Sequence, residues 1–298
     1  MYSQIDSNKR KSVLLIAIFI VFIIFIGWIF AQYTEIGYFA LPFAAGISII
    51  MALSSYYGGD KVALLTSGAK EITKEQSPYV YRMVENLSIA SGMPVPRVHI
   101  IQDENINAFA TGRDPKHASI AVTTGAIEKL ENEELEGVLA HELSHIKNYD
   151  IRVMTIVIVL VGLVAILADI FLRMTFWGGV GHSRGSKKEG TQGILMVIGL
   201  IFLIISPIIA KIIQLAVSRK REFLADASGS LMTRYPQGLA NALEKIKNQN
   251  IRPMKKASNA TAHLFLSSPF GSTKKFMAGM FSTHPPIDER ISALRKMA

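Results

Sequence analysis

Apolar residues are concentrated in long uncharged runs, separated by amphipathic and charged stretches. The first run spans residues 13–31, follows the basic residues Lys9, Arg10 and Lys11, and is long enough to cross a bilayer as a helix. A second run spans residues 36–57. We interpret residues 1–57 as a transmembrane hairpin, because Ile29 before Ala31 is a poor cleavage site for a signal peptide. The basic residues before the first run predict a cytoplasmic N-terminus.

Residues 58–150 are predicted to form the first part of a soluble domain. Periodic apolar residues indicate an amphipathic helix over residues 78–91. Three strand-like runs follow over residues 97–102, 106–111 and 118–123, and turn-forming residues separate them. A small sheet is therefore predicted.

A further helix is predicted over residues 132–147, with Asn132 as its capping residue. An apolar stripe at helical spacing consists of Leu135, Val138, Leu139, Leu143 and Ile146. At about 100° per residue, His141, His145 and Asn148 lie roughly 130° from the centre of this stripe. The helix is therefore predicted to bury the stripe and to turn its histidines to another side, where core histidines would not lie.

The chain becomes apolar again directly after this helix. Residues 153–172 are apolar apart from Asp169, and residues 190–210 form another uncharged run that is broken by Pro207. We interpret residues 151–218 as a second hairpin, either transmembrane or re-entrant, because its flanking basic residues do not indicate one orientation. Residues 219–298 form the second part of the soluble domain. The predicted fold is an α+β membrane protein with about four transmembrane helices.

Composition narrows the possible partners. The 298 residues have a mean hydropathy of +0.31 and only 18% charged residues, which is more apolar than an ordinary soluble protein. The net charge of +9 would suit nucleic acid, but the basic residues border the apolar runs, so a lipid bilayer is predicted as a partner and nucleic acid is not. Because the chain has no cysteine, histidine and carboxylate would have to bind any metal ion.

The stretch His141-Glu142-Leu143-Ser144-His145 has the spacing of a metal site. Two histidines four residues apart lie on one side of a helix, where both imidazoles can bind one metal ion. The intervening Glu142 is placed to take a proton from the attacking water as a general base.

The second hairpin leaves the soluble side after His145 and returns before Arg219, so the segment that follows is delivered close to the histidines. In that segment Glu222 and Asp226 are four residues apart and share a helical face. Glu222 is a candidate third ligand, and Asp226 is a candidate acceptor for the N–H of a ligand histidine. A pair of solvated carboxylates on a surface helix is the alternative.

These motifs, in this order, resemble the HtpX-type membrane zinc metallopeptidases, relatives of the CAAX prenyl proteases. The resemblance covers nearly the whole chain and rests on Asn107-Ala108-Phe109-Ala110, on residues 141–145 with Asn148 and Asp150, on residues 219–226, and on residues 281–286 with Arg290. It implies a gluzincin-like peptidase domain in which His141, His145 and Glu222 bind one zinc ion per chain. It also implies endoproteolysis of misfolded or damaged membrane proteins, as quality control under stress, at an active site that faces the cytoplasm.

Four further assignments concern the surroundings of the metal. His284, held by Pro285 and Pro286, is assigned to stabilise the oxyanion, with a simple turn histidine as the alternative. Asn148 is placed with Asp226 around the ligands. The strand Asn107 to Ala110 is assigned to pair with an extended peptide substrate, although it could equally be an interior strand. Arg290 is assigned to substrate binding, with a pairing to Asp288 as the alternative.

Other functions fit parts of this pattern. A CAAX-prenyl-protease-like enzyme would process specific substrates instead of damaged proteins. A non-catalytic zinc-binding membrane protein would have no need of Glu142. A transporter would place its ligands inside the spans, whereas the candidate ligands lie outside them. A polypeptide substrate is therefore predicted, and no oligomeric state is predicted.

Overall fold

The structure is a computed structural model that describes residues 2–33, 37–177, 219–249 and 285–297, with residues 252–254, 261, 264–267 and 269. Its helices are α1 (Tyr2–Tyr33), α2 (Ala40–Ser67), α3 (Pro78–Ser91), α4 (Thr124–Lys129), α5 (Asn132–Lys147), α6 (Asp150–Trp177), α7 (Arg219–Thr233), α8 (Pro236–Asn248) and α9 (Ile287–Arg295). Its strands are β1 (Lys70–Glu71), β2 (Arg97–Ile101), β3 (Ala108–Gly112) and β4 (Ala118–Thr123). The prediction of a mainly helical protein with a small sheet is confirmed.

Two segments at the N-terminal end, Gln4–Ile29 and Gly37–Ser67, are long and apolar enough to cross a membrane. Large side chains such as Phe25 and Phe43 are exposed on them, as expected where lipid covers a helix. Both helices exceed their predicted lengths. Helix α1 begins before the basic residues, and α2 continues beyond residue 57 until Gly68 ends it in a left-handed conformation (φ 70°).

Helix α6 joins α5 to the two apolar N-terminal helices, because it starts three residues after α5 ends and packs against α1 and α2. Ile151, Val153 and Ile156, in its first turns, are buried. Gly59 of α2 lies so close that a Cβ there would be 2.6 Å from Thr155 Cγ2. The returning half of the predicted second hairpin, residues 178–218, lies outside the described residues.

The sheet has the strand order β1-β2-β4-β3. Strand β2 runs parallel to β4, whereas β1 and β3 are antiparallel to their neighbours. The three predicted strands are present within two residues of their expected bounds at each end, and β1 is an additional short strand. Among the described strands β3 pairs with β4 alone, which leaves its other edge to the rest of the protein.

Helix α5 packs against α7, α8 and strand β3. The predicted stripe is confirmed, since all five of its residues are at most 1% exposed and belong to the main core. The side of α5 that carries the histidines is buried as well, because α7 and α8 cover it, and a Cβ on Gly137 would lie 2.7 Å from the Leu239 nitrogen. Asn132 is the first helical residue instead of the cap, and Glu131 N–H donates to the Glu134 carboxylate (2.8 Å).

Candidate active site

Helix α5 presents His141 and His145 one turn apart on one side. Their side chains are buried, and their Nε2 atoms lie 3.2 Å from each other. Helix α7 brings Glu222, also fully buried, to the same point. Its Oε1 lies 3.5 Å from Nε2 of His145 and its Oε2 lies 3.8 Å from Nε2 of His141. The three predicted ligands therefore converge.

The approach of α7 to α5 depends on Gly229. A Cβ at this position would lie 3.0 Å from the backbone nitrogen of His141, which is tighter than ordinary van der Waals contact. Since a backbone atom cannot move aside as a side chain can, the absence of a side chain lets the ligand helix and the histidine helix come together.

Each histidine has a carboxylate on the side away from Glu222. Nδ1 of His141 lies 2.9 Å from Asp226 Oδ1, and Nδ1 of His145 lies 3.0 Å from Asp150 Oδ2. A carboxylate accepts hydrogen bonds, so both Nδ1 atoms carry the proton and both Nε2 lone pairs face the convergence point.

This donor set fits a divalent metal ion. Tetrahedral zinc with bonds of roughly 2.0–2.1 Å separates its ligand atoms by about 3.3 Å, close to the observed distances. The three ligand atoms all lie within 4.8 Å of one another. Two lone pairs and a carboxylate that converge in a buried site repel each other, and a cation between them removes that cost.

Each outer carboxylate is in turn held by an arginine. Arg290 of α9 donates to Asp226 through Nε (2.9 Å to Oδ2) and Nη2 (2.6 Å to Oδ1), a bidentate pair that is almost fully buried. Arg221 of α7 donates through Nη1 to Asp150 Oδ1 (3.1 Å). Burial raises the pKa of Asp226, but the charge and hydrogen bonds of Arg290, with the hydrogen bond from His141, lower it to about 2. Asp226 therefore stays ionised at neutral pH.

The site favours a positive charge at His145. Burial alone lowers the pKa of this imidazole, but the hydrogen bond to Asp150 and the charges of Glu222, Asp150 and Glu142 outweigh it and raise the pKa to about 9. A proton and a metal ion thus compete for the same nitrogen.

We expect the apparent metal affinity to fall by about tenfold for each pH unit below about 9, since binding must displace the His145 proton. A chelator-competition titration of the purified protein between pH 6 and 9 measures this slope. An affinity that stays constant between pH 7 and 8 would contradict it. Asp150→Asn, which removes one cause of the raised pKa, should move the onset of the slope to lower pH.

The other predicted site residues are placed as follows. Glu142 is 3% exposed, and its carboxylate is close enough for its charge to act on both His145 and Arg290. Asn148 is buried, and its backbone carbonyl accepts from Asn8 Nδ2 at 2.9 Å. His284 lies outside the described residues.

Arg290 does not pair with Asp288, which was the alternative to a role in substrate binding. The guanidinium is bound to Asp226, 64 residues away in sequence, and Asp288 instead accepts from Lys247 Nζ at 2.5 Å. The guanidinium is also 3.7 Å from Glu222 Oε2. Arg290 is 2% exposed, and its guanidinium also lies 3.5 Å from Nδ1 of His141, so it faces the metal ligands as well as Asp226.

Sequence reasoning gave no role to Asp150, Arg221 or Asn8, although all three are buried, Asp150 contacts His145, and the other two donate to Asp150. Asp150 was noted only as part of the resemblance. The available signal was an acid one and a half turns after the second histidine, at the start of the next helix. Tyr149, in the turn between the helices, has a positive φ of 60°, and this turn directs Asp150 back toward His145. Sequence patterns do not predict a positive φ for tyrosine.

Strand β3, the predicted substrate strand, is fully buried and lies at the sheet edge. Its start is held by a later segment: Leu266 N–H donates to the Ala108 carbonyl (3.0 Å), and the Asn107 side chain exchanges hydrogen bonds with the backbone of Ser267 (2.9 and 3.1 Å). Phe109 packs edge-on against Phe265, with ring centroids 5.1 Å apart.

A helix with His-Glu-x-x-His spacing, joined by a glutamate from a second helix, defines the metallopeptidases with a His₂Glu centre. The chain belongs to peptidase family M48, whose family model matches residues 74–298. It is therefore a metalloprotease with a buried site for a metal ion.

Full-length relatives are named protease HtpX homologs. The chain is 44% identical to the one from Caldanaerobacter subterraneus subsp. tengcongensis over 297 residues, covering 100% of this chain and 98% of the relative. It is 43% identical to the one from Listeria monocytogenes serotype 4a over 305 residues, covering 100% of both. The crystal structure of S. mikatae Ste24p is similar in fold (TM-score 0.51, 19% identity) over 99% of this chain and 67% of that one.

Asp226 and Asp150, the carboxylates behind the two histidines, allow a matched comparison of metal affinity. We expect Asp226→Asn and Asp150→Asn each to weaken metal affinity by roughly ten- to a hundredfold, because an amide orients an imidazole without its negative charge. Metal titration of the two variants beside wild type measures this, with the exposed Asp288→Asn as the control. Complete loss of metal in Asp226→Asn would show that Asp226 is itself a ligand.

Proposed function

We propose that this chain is a membrane-bound zinc endopeptidase that cleaves misfolded or damaged membrane proteins at an active site facing the cytoplasm. The observation that carries the proposal is the convergence of His141, His145 and Glu222 on one buried point, with Glu142 buried on the helix of the two histidines. Family membership supports peptide-bond hydrolysis, and the two apolar N-terminal helices support a membrane location.

Zinc is the proposed metal because two imidazoles and one carboxylate at tetrahedral spacing suit it, and because three protein ligands leave one position for water. When bound, zinc acidifies a bound water and polarises the carbonyl of the substrate. The chain supplies the remaining chemistry.

Glu142 is the proposed general base. Its carboxylate takes a proton from the attacking water and then delivers that proton to the leaving amine. Asp226 and Asp150 hold the imidazoles in one tautomer. Arg290 is proposed to act through Asp226, which it holds by two hydrogen bonds, and His284 remains the proposed donor to the oxyanion.

Strand β3 is the proposed binding site for the substrate backbone. Residues of an antiparallel strand alternate in the direction of their backbone groups. The Ala108 carbonyl and the Gly112 N–H both point to the free edge, where they bond to Leu266 and to Thr155 Oγ1 (3.2 Å). The backbone of Ala110, between them, points the same way and is free to pair with an extended peptide within the described part of the chain.

A cytoplasmic site is supported by the position of α1. Its N-terminal part carries Lys9, Arg10 and Lys11, and the neighbouring Asn8 bonds to Asp150 at the metal site (2.8 Å). The basic end of α1 and the site are therefore on the same side of the membrane. Basic residues that flank a first span mark the cytoplasmic side.

The test uses the full-length protein in detergent with an unfolded membrane protein and the same protein in its folded form. We expect cleavage of the unfolded form, loss of cleavage with a chelator, and recovery when zinc is added. Equal cleavage with and without chelator would contradict a metallopeptidase. Preferential cleavage of the folded form would contradict the proposed substrate class.

A further inference from the structure

We propose that Asn8, near the start of α1, is a positioning residue of the metal centre that fixes the Asp150 carboxylate and, through it, the imidazole of His145. The inference rests on the proposed function. It adds a residue from the N-terminal helix, outside the residues 74–298 that the family model matches.

The side-chain hydrogen bonds of Asn8 within the described residues all go to groups around the metal site. Its side chain is fully buried, and its amide nitrogen donates to Asp150 Oδ1 (2.8 Å) and to the Asn148 carbonyl (2.9 Å). Its amide oxygen accepts from Arg221 Nη1 (3.3 Å). A buried amide is costly unless it is bonded, and anchoring a helix in lipid does not require one.

The two outer carboxylates are held in parallel ways. Asp226 receives two donors from one residue, Arg290. Asp150 receives one donor from Arg221 and the other from Asn8, both at Oδ1, while Oδ2 faces His145. Asn8 therefore donates the second hydrogen bond to the Asp150 carboxylate, as the second nitrogen of Arg290 does to the Asp226 carboxylate. Without Asn8, Arg221 would be the one remaining donor to Oδ1 of Asp150 among the described residues, apart from the imidazole that Asp150 has to orient through Oδ2.

A neighbouring contact docks the same part of α1 at this turn. Lys9 Nζ lies 5.1 Å from the ring centroid of Tyr149, the residue that turns the chain from α5 into α6. Ser12, one turn along the same face of α1, is buried and donates to the Asn8 carbonyl (2.8 Å), and no hydrogen bond from its side chain to Asp150 is seen within the described residues. Ser12 therefore provides a matched control.

The experiment measures zinc affinity of the full-length protein in detergent by chelator competition. Asn8→Leu keeps the branched shape and the number of heavy atoms and removes the amide. We expect it to weaken zinc affinity by roughly three- to tenfold, less than the loss of a direct outer partner because Asn8 acts through Asp150. At saturating zinc, kcat should fall while KM is unchanged. Ser12→Ala should match wild type in both measurements.

A double-mutant cycle with Asp150→Asn separates positioning from general support of the fold. If Asn8 acts through Asp150, Asn8→Leu should add little once the carboxylate is gone, so the effects on zinc affinity are not additive. Additive effects, or wild-type affinity in Asn8→Leu, would overturn the proposal. If Asn8→Leu does not fold, Asn8→Ala takes its place under the same criteria. Failure of the wild-type protein to bind zinc would instead refute the proposed function.

Discussion

Glu142→Gln is expected to keep about one zinc ion per chain and to lower kcat by a factor of roughly 10² to 10⁴, the usual contribution of a general base. The amide has the shape of the carboxylate, so the ligands on either side of it, His141 and His145, remain in place. It cannot take a proton from water. Peptidase assays of metal-loaded wild type and variant, with metal analysis of both, measure the two effects separately.

The control is Glu133→Gln, which changes an exposed glutamate on the same helix and should leave turnover and zinc content unchanged. Equal turnover of Glu142→Gln and wild type would remove Glu142 from the mechanism. Loss of both zinc and turnover would mean that Glu142 holds the site together instead of transferring a proton.

Glu222→Ala should lose zinc, with a larger effect than the roughly ten- to a hundredfold that an outer partner contributes. Two imidazoles on adjacent turns of one helix cannot enclose a metal ion, and α7 supplies the third donor from the opposite side. The variant also removes the carboxylate beside the buried guanidinium of Arg290 (3.7 Å). Its thermal stability without metal must therefore be compared with that of wild type.

Lys220→Ala, an exposed change on the same helix, is the control and should bind zinc normally. Full zinc occupancy in folded Glu222→Ala would show that the third ligand is a different residue. Because Glu142→Gln keeps the metal and Glu222→Ala loses it, the pair distinguishes the base from the ligand by metal content alone.

Local patterns predicted the elements but not their ends. The apolar stripe of α5 and the three longer strands follow from periodicity, which depends on neighbours close in sequence. The start of α1 did not, because Lys9, Arg10 and Lys11 indicate a membrane boundary without indicating whether the helix continues past it. The burial of both sides of α5 depends on α7 and α8, which lie far along the chain.

The predicted ligands lie in motifs with helical spacing, and for this reason they could be identified from the sequence. The residues that hold these ligands in place do not lie at such spacings. Arg290 contacts Asp226 over 64 residues, and the nearer Asp288 was the plausible partner on sequence distance. Asp150 depends on a tyrosine with positive φ, and Asn8 depends on where the first helix docks. These contacts follow from tertiary packing, which no short-range pattern contains.

The contacts of Asn8 and Arg290 also set the order in which the enzyme is completed during synthesis. The first helix leaves the ribosome early, whereas the arginine that holds Asp226 is made on the order of half a minute later at usual rates of translation. Until then Asp226 has no guanidinium from Arg290 to bind. The carboxylate that orients His141 can therefore gain its arginine partner only when nearly the whole chain has been synthesised.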